Sequence, residues 1–489
     1  MGTIRRNGAL ILALALLLPL LAACGGGAAT QPTAAPGGAA PTAAPAPTNA
    51  PAATSAPAPT TAPAATSAPA ATAAPGGAMV EGATAGAAGD VTKIKVEDGA
   101  ELRIVVNGNA TEQKLYQDGV ARFNKVLPNV KVKLDVNNDN YETNMKAQFA
   151  ANTAPDVFLL PPQLLGAFGP QGLLLALDDA MNAAGAKTSD YVDSPMKLFQ
   201  IEGKTYGIPK DFGTLVIFVN NQMAQEAGVD IASIKDWDGL KAAAQKMTKG
   251  EGPGKTFGMC LNPDIERYGA SMLQKGNPIT KDGKATFNQP SGVETIDYWY
   301  SFKKDGVGEL YKEMGKGWCG EAFSGKKAAM VMEGGWLVPF LADPANGATD
   351  LKYTAIELPL PAGGQKGDLL FTNAFGVNAK TKYPNAAAAL AIFLTSAANQ
   401  KALLPSGLAT PSLKALANDP YFDTNPTAKL LVQAGSYGTS SDIALGGPTK
   451  KGDVAAKINQ ALEAIFLGQA ATKDALDQAA QEVDAILSQ

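Results

Sequence analysis

Apolar and polar positions alternate at two places early in the globular part of the chain. In Glu101-Leu102-Arg103-Ile104-Val105-Val106-Asn107 the alternation reads as a strand, and Val130 to Val136 repeats it with period two. Between them, Glu112 to Lys125 has helical spacing, with Leu115, Val120 and Phe123 as the expected inner face. A second helix is predicted over Tyr141 to Ala151 and a third strand over Asp156 to Leu160. Strand, helix, strand, helix, strand is the rhythm of an α/β fold, a parallel sheet covered by helices. Ligands of such sheets bind beyond the carboxyl ends of the strands, which points to Asn107 and to the stretch Leu160 to Gln163. Asp135, Asn137 and Asp139 have the spacing that opens a calcium loop. Asn140 stands where glycine is required and Lys146 where a bidentate glutamate belongs, so the cluster reads as a strand-end turn.

Ahead of this body the pattern changes twice. Arg5-Arg6 is followed by an apolar run from Ala9 to Ala22 and by Leu21-Ala22-Ala23-Cys24-Gly25. A basic start, a short apolar middle and small residues before a cleavage point have the layout of a secretory signal. A membrane-spanning helix would need about 20 apolar residues, and this run is shorter and is interrupted by Pro19. The segment resembles the lipobox of bacterial lipoproteins, which implies a signal peptide over 1–23 and acylation of Cys24, holding the protein on the outer face of the membrane. From 24 to 95 the chain is dominated by Ala, Pro, Thr, Ser and Gly, and no charged residue lies between Arg6 and Glu81. The octet Pro-Ala-Ala-Thr-Ser-Ala-Pro-Ala begins at Pro51 and again at Pro63. With so few large apolar side chains to bury, this stretch is expected to be an extended tether.

Composition narrows the function classes. About 400 residues follow the tether, enough for two domains. The net charge is −4, and −6 (39 basic against 45 acidic) once Arg5 and Arg6 leave with the signal. A mildly acidic body without a basic stripe argues against nucleic acid, and Lys450-Lys451, near Pro448, reads as a solvated loop. The sequence has no histidine, which excludes a serine–histidine hydrolase and a His-ligated metal centre. Neither a catalytic residue nor a metal site is nominated, and no cofactor is expected. With Cys24 assigned to lipid, Cys260 and Cys319 remain, read either as an extracytoplasmic disulfide or as two separate buried thiols.

Several motifs then fall in a familiar order. They are Ala154-Pro155-Asp156-Val157, Gly203-Lys204-Thr205-Tyr206-Gly207-Ile208-Pro209, Val219-Asn220-Asn221 and Trp237-Asp238-Gly239-Leu240. Trp318-Cys319-Gly320-Glu321-Ala322-Phe323-Ser324-Gly325-Lys326-Lys327-Ala328-Ala329-Met330 follows, with Gly334-Gly335-Trp336, Phe371 to Val377 and Pro384-Asn385-Ala386-Ala387-Ala388. The body resembles the family 1 extracellular solute-binding proteins, the sugar-type receptors of ABC importers. The resemblance implies a type II periplasmic-binding-protein fold, two α/β lobes joined by a hinge that the chain crosses more than once, with ligand in the cleft between them. On that basis the first lobe is expected to comprise 96–211 and 372–426, and the second 212–371 and 427–489. The implied partners are a small solute, a mono- or oligosaccharide, and the membrane permease subunits. The receptor is expected to be a monomer without enzymatic activity.

The same resemblance nominates ligand contacts. Trp336 would stack on a sugar face, with Asp211 and Phe212 at the first crossing and Asn373 and Phe375 at the return crossing. Asp264 and Arg267 would line the second lobe, unless they form a surface ion pair, and Tyr437 in Gly435-Ser436-Tyr437-Gly438 would offer a second ring. Tyr298-Trp299-Tyr300 lies in a helical run and reads as core. Where maltose-type members carry an aromatic and an acid after the Pro-Asp strand, this chain has Leu160, Pro161, Pro162 and Gln163, which argues against maltodextrin. A cell-surface glycosidase would need paired carboxylates, and no pair can be nominated. An iron receptor would need adjacent tyrosines, which are not found.

Overall fold

A computed structural model describes residues 89–489. The expected signal, Cys24 and nearly all of the tether lie outside the described residues.

The first alternating segment forms the strand Glu101–Val106, with Leu102, Ile104, Val105 and Val106 buried. It runs parallel to Lys131–Val136, Glu101 opposite Lys131, and parallel to Val157–Leu160, Ile104 opposite Val157. The crossover helices are Ala110–Val126 and Tyr141–Ala150. The first starts two residues earlier than its apolar spacing predicts. Asn109 caps it, accepting from the Glu112 amide at 3.1 Å while the Glu112 carboxylate accepts from the Asn109 amide at 3.1 Å. Its buried face is Tyr116, Gly119, Val120 and Phe123, with Leu115 only half-buried. Asn140 takes the left-handed conformation, φ 48°, at the start of the second helix, and the Asp135 carboxylate accepts from Arg103 Nε at 2.8 Å. That cluster is a strand-end turn.

The sheet of this lobe is mixed rather than wholly parallel. Its order is Lys131–Val136, Glu101–Val106, Val157–Leu160, Ala374–Val377, Gly207–Pro209. Ala374–Val377 lies antiparallel to both neighbours, and the chain reaches it on returning from the second-lobe sheet. The second lobe has its own five-stranded sheet, ordered Gly308–Leu310, Phe257–Leu261, Ala328–Glu333, Val216–Asn220, Tyr353–Ile356. The first three of these strands are parallel, and Val216–Asn220 is antiparallel to both of its neighbours.

Separate apolar cores underlie the two sheets. One gathers side chains between Val91 and Ile208 and between Ala374 and Leu416. The other region draws on residues between Leu215 and Leu369 and between Leu431 and Leu487. The linking segments pair across the middle of the molecule, Gly213 with Phe371 and Phe212 with Thr410. Cys260 on the strand Phe257–Leu261 is joined to Cys319 at the start of the helix Cys319–Ser324, with Cα atoms 5.7 Å apart. Trp299 is buried in the helix Pro290–Lys304 and donates to Ser271 Oγ at 3.1 Å, so that triplet belongs to the core. Among the described residues no single helix is long and apolar enough to cross a membrane.

Candidate ligand cleft

A cavity of about 520 Å³ opens at the carboxyl ends of the first-lobe strands. Asn107 follows the first strand, Asn138 and Asn140 follow the second, and Pro161, Pro162 and Gln163 follow the third. Phe371, Thr372 and Asn373 form its hinge side, and Asp442 and Lys451 reach it from the second lobe. Local chemistry fixes the first-lobe wall. The Gly108 amide donates to Asn138 Oδ1 at 2.9 Å, tying the first two strand-end loops together. Pro162, with its φ pre-set for a first turn, opens the helix Pro162–Phe168 and places Gln163 beside it at the rim. Tyr141 also lines the cavity, but its hydroxyl donates inward to the Leu159 carbonyl at 2.7 Å, and burial pushes its pKa up.

A charged network adjoins the cavity on the second-lobe side. Glu333 ends the strand Ala328–Glu333 and is 1% exposed. Its Oε2 accepts from Arg267 Nη2 at 2.9 Å and from Trp336 Nε1 at 2.8 Å. The Arg267 guanidinium lies 5.5 Å from the Trp336 ring centroid, within cation–π range. Burial opposes the charge of Arg267, but Glu333 and Asp264 outweigh it and hold its pKa above the usual value. Trp336 meets Phe371 edge-on at 5.9 Å and so joins this network to the cleft lining. Asp264 caps the helix Ile265–Gln274, accepts from Asn459 Nδ2 at 3.2 Å and is 3.9 Å from Arg267. Arg267 is therefore committed to Glu333 rather than to a surface pair with Asp264.

A second charged group lines the cavity itself. Lys451 begins the helix Lys451–Phe466, anchored by Val454, Ile458, Leu462 and Ile465 on one buried face. Its ammonium is 2.7 Å from Glu266 and 3.6 Å from Asp442, and donates to Ser441 Oγ at 2.9 Å. Its side chain is only 12% exposed, which corrects the reading of Lys450-Lys451 as a solvated loop. Its partners lie far along the chain, where no local pattern shows them. The pair is unequal. Burial opposes the Lys451 charge but is outweighed by Asp442 and Glu266, whereas for Asp442 burial outweighs the single ammonium and pushes its pKa up.

The structure therefore brings Asn107, Gln163 and Asn373 together in one cavity, with Arg267, Asp264 and Trp336 in the adjoining network. Four other nominated residues lie elsewhere. Asp211 is ion-paired with Lys210 and, with Tyr116 and Leu408, lines a separate cavity of about 40 Å³. Phe212 packs its ring over Gly435 and borders a different groove with Thr410 and Phe422. Phe375 is buried in the first-lobe core, edge-on to Tyr116 at 5.9 Å. The hydroxyl of Tyr437 bonds Glu357 Oε1 at 3.1 Å, and its ring lies 5.2 Å from the Lys366 ammonium. Sequence reasoning missed Asn138, Asn140, Glu142, Thr143, Phe371 and Thr372 in the lining. The strand-end rule would have found the first two, had it been applied to the second strand as it was to the first and third. Glu333, Asp442 and Lys451 carry no such local signal.

Comparison with known proteins agrees with this architecture. The profile of the bacterial extracellular solute-binding protein family matches residues 119–430. The galactooligosaccharide-binding protein of Bacillus subtilis is 25% identical over 380 residues, covering 75% of this chain and 85% of that protein. The arabinooligosaccharide-binding protein of the same organism is 27% identical over 273 residues, covering 53% of this chain and 60% of that protein. An ABC substrate-binding protein of Listeria monocytogenes, solved in complex with cycloalternan, superposes with a TM-score of 0.71 at 20% identity, covering 80% of this chain and 100% of that one. The acarbose-binding GacH receptor of Streptomyces glaucescens gives 0.69 at 20% identity over 80% of this chain and 99% of its own. The chain belongs to the bacterial extracellular solute-binding proteins, receptors of the extracytoplasmic space with a two-lobed α/β fold.

Proposed function

We propose that this protein captures a carbohydrate, an oligosaccharide, between its lobes and delivers it to the permease of an ABC importer. The observation that carries this reading is the cleft lining. Asn107, Asn138, Asn140, Gln163 and Asn373 offer five carboxamides in one cavity, with residues of the second lobe and the hinge completing it. A carboxamide both donates and accepts, as a sugar hydroxyl does, so a wall of amides suits a neutral polyol better than an ion or an apolar solute. The oligosaccharide-binding relatives support the same substrate class.

In this reading the solute bridges the two walls and favours the closed form, since contacts from both lobes exist only there. Trp336 supplies the stacking face and Arg267 backs its ring, with Asn107, Gln163 and Asn373 contacting hydroxyls. Asp211 and Phe212 shape the hinge. The lobes are 96–211 with 372–426, and 212–371 with 427–489. Cys24 carries the lipid that holds a monomeric receptor at the membrane, and the Ala/Pro/Thr-rich segment spaces it from the surface. A thermal-shift screen against oligosaccharides, polyamines, amino acids and metal ions tests the substrate class. A ligand specific to the folded state raises the melting temperature. A shift with an oligosaccharide class is expected, whereas a response confined to another class would overturn the carbohydrate assignment.

A further inference from the structure

Asp442 stands out among the cleft residues. It lines the cavity, is 1% exposed, and its Oδ1 has no hydrogen-bond partner. The nearest cation, Lys451, is 3.6 Å away and closer to Glu266, at 2.7 Å, while also donating to Ser441. The ammonium is thus shared between two carboxylates, and its hydrogen bond goes to Ser441. A buried carboxylate left short of donors costs free energy until something supplies one. Asp442 and Lys451 are also the second-lobe side chains that reach this cavity, opposite the amide wall of the first lobe.

We infer that Asp442, positioned by Lys451, is the acceptor through which the second lobe grips the solute and selects a neutral, hydroxyl-bearing sugar over an acidic one. The inference rests on the carbohydrate reading above. A carboxylate oxygen without a donor accepts a hydrogen bond, so a solute hydroxyl is the complementary group at this point. A uronic acid group there would bring a second negative charge against Asp442, and the ammonium of Lys451 is already divided between two acids. Sites built to hydrogen-bond a substrate hydroxyl discriminate strongly against analogues that cannot supply it. The first-lobe amides carry no net charge, and the Glu142 carboxylate that lines the cavity beside them adds to the repulsion of an acidic sugar.

The test compares the full-length wild type with Asp442→Asn, using a neutral galacto-oligosaccharide mixture and an oligogalacturonide as probes. The wild type is expected to bind the neutral sugar and reject the acidic one. D442N is expected to lose at least tenfold in affinity for the neutral sugar and to narrow the neutral-to-acidic preference, with its melting temperature retained. A purely structural role would leave that preference unmoved. If D442N does not fold, Asp442→Ser removes the charge while keeping an acceptor beside Lys451. Unchanged affinity and unchanged preference in a folded variant would overturn the role of Asp442 and leave the receptor reading standing. Failure of the wild type to bind any neutral sugar would overturn the carbohydrate reading, and this inference with it.

Discussion

The two walls of the cleft are made by different means. The first-lobe wall is made chiefly of amides set at the ends of parallel strands, with the Glu142 carboxylate among them. The second lobe meets the cavity through Asp442 and Lys451, held in an ion-paired cluster with Glu266, and beside it the Arg267–Glu333 pair orients Trp336. Amides tolerate many hydroxyl arrangements, so the first wall provides reach. Buried charges are costly unless paired in one geometry, so the second wall provides rigidity and selectivity. A receptor that closes on its solute gains from having both.

Reducing the disulfide is the largest way to break this contrast. Cys260 and Cys319 are 59 residues apart and both belong to the second lobe, whereas the described part of the first lobe contains no cysteine. Loss of that cross-link should lower stability by about 4 kcal/mol. Denaturant unfolding with and without reductant checks it, the transition of the second lobe moving and that of the first staying in place. Next comes Trp336→Ala, expected to weaken sugar binding by at least ~2 kcal/mol because it removes the aromatic anchor of the rigid wall. Equilibrium dialysis reads the loss, and normal affinity in a folded variant would remove Trp336 from the site. Asn107→Ala should cost about 1 kcal/mol, the worth of one neutral hydrogen bond in a wall with other amides to spare. An effect as large as that of Trp336→Ala would dissolve the distinction between the walls. Smallest of all, Tyr437→Phe should change sugar affinity by less than about 0.5 kcal/mol, because that hydroxyl is bonded to Glu357 away from the cleft.

The same contrast explains what could be read from the chain beforehand. The alternation of Glu101–Val106 and Lys131–Val136 and the helical spacing within Ala110–Val126 announce these first-lobe elements, and the strand-end rule places Asn107 and Gln163 in the cleft. Phe371 to Val377 stands out only as a motif, and the antiparallel place of Ala374–Val377 depends on a path through the other lobe. Asp211 and Phe375 flank true cleft elements, yet Lys210 claims the first and the core of the first lobe claims the second. Lys451 looked solvated because the acids that bury its charge, Glu266 and Asp442, are separated from it by a fold rather than by a motif. Local patterning therefore reveals elements and their ends. Pairings between distant charges become visible only in three dimensions.

The central claim is that one solute is held by both walls at once, and calorimetric titration of the full-length protein with galacto-, arabino- and malto-oligosaccharides tests it most directly. The account predicts one saturable site per chain for at least one of these classes, weakened by Asn107→Ala in the first lobe and by Trp336→Ala in the second. Absence of saturable heat with every class, or binding that survives one of these substitutions undiminished, would contradict it.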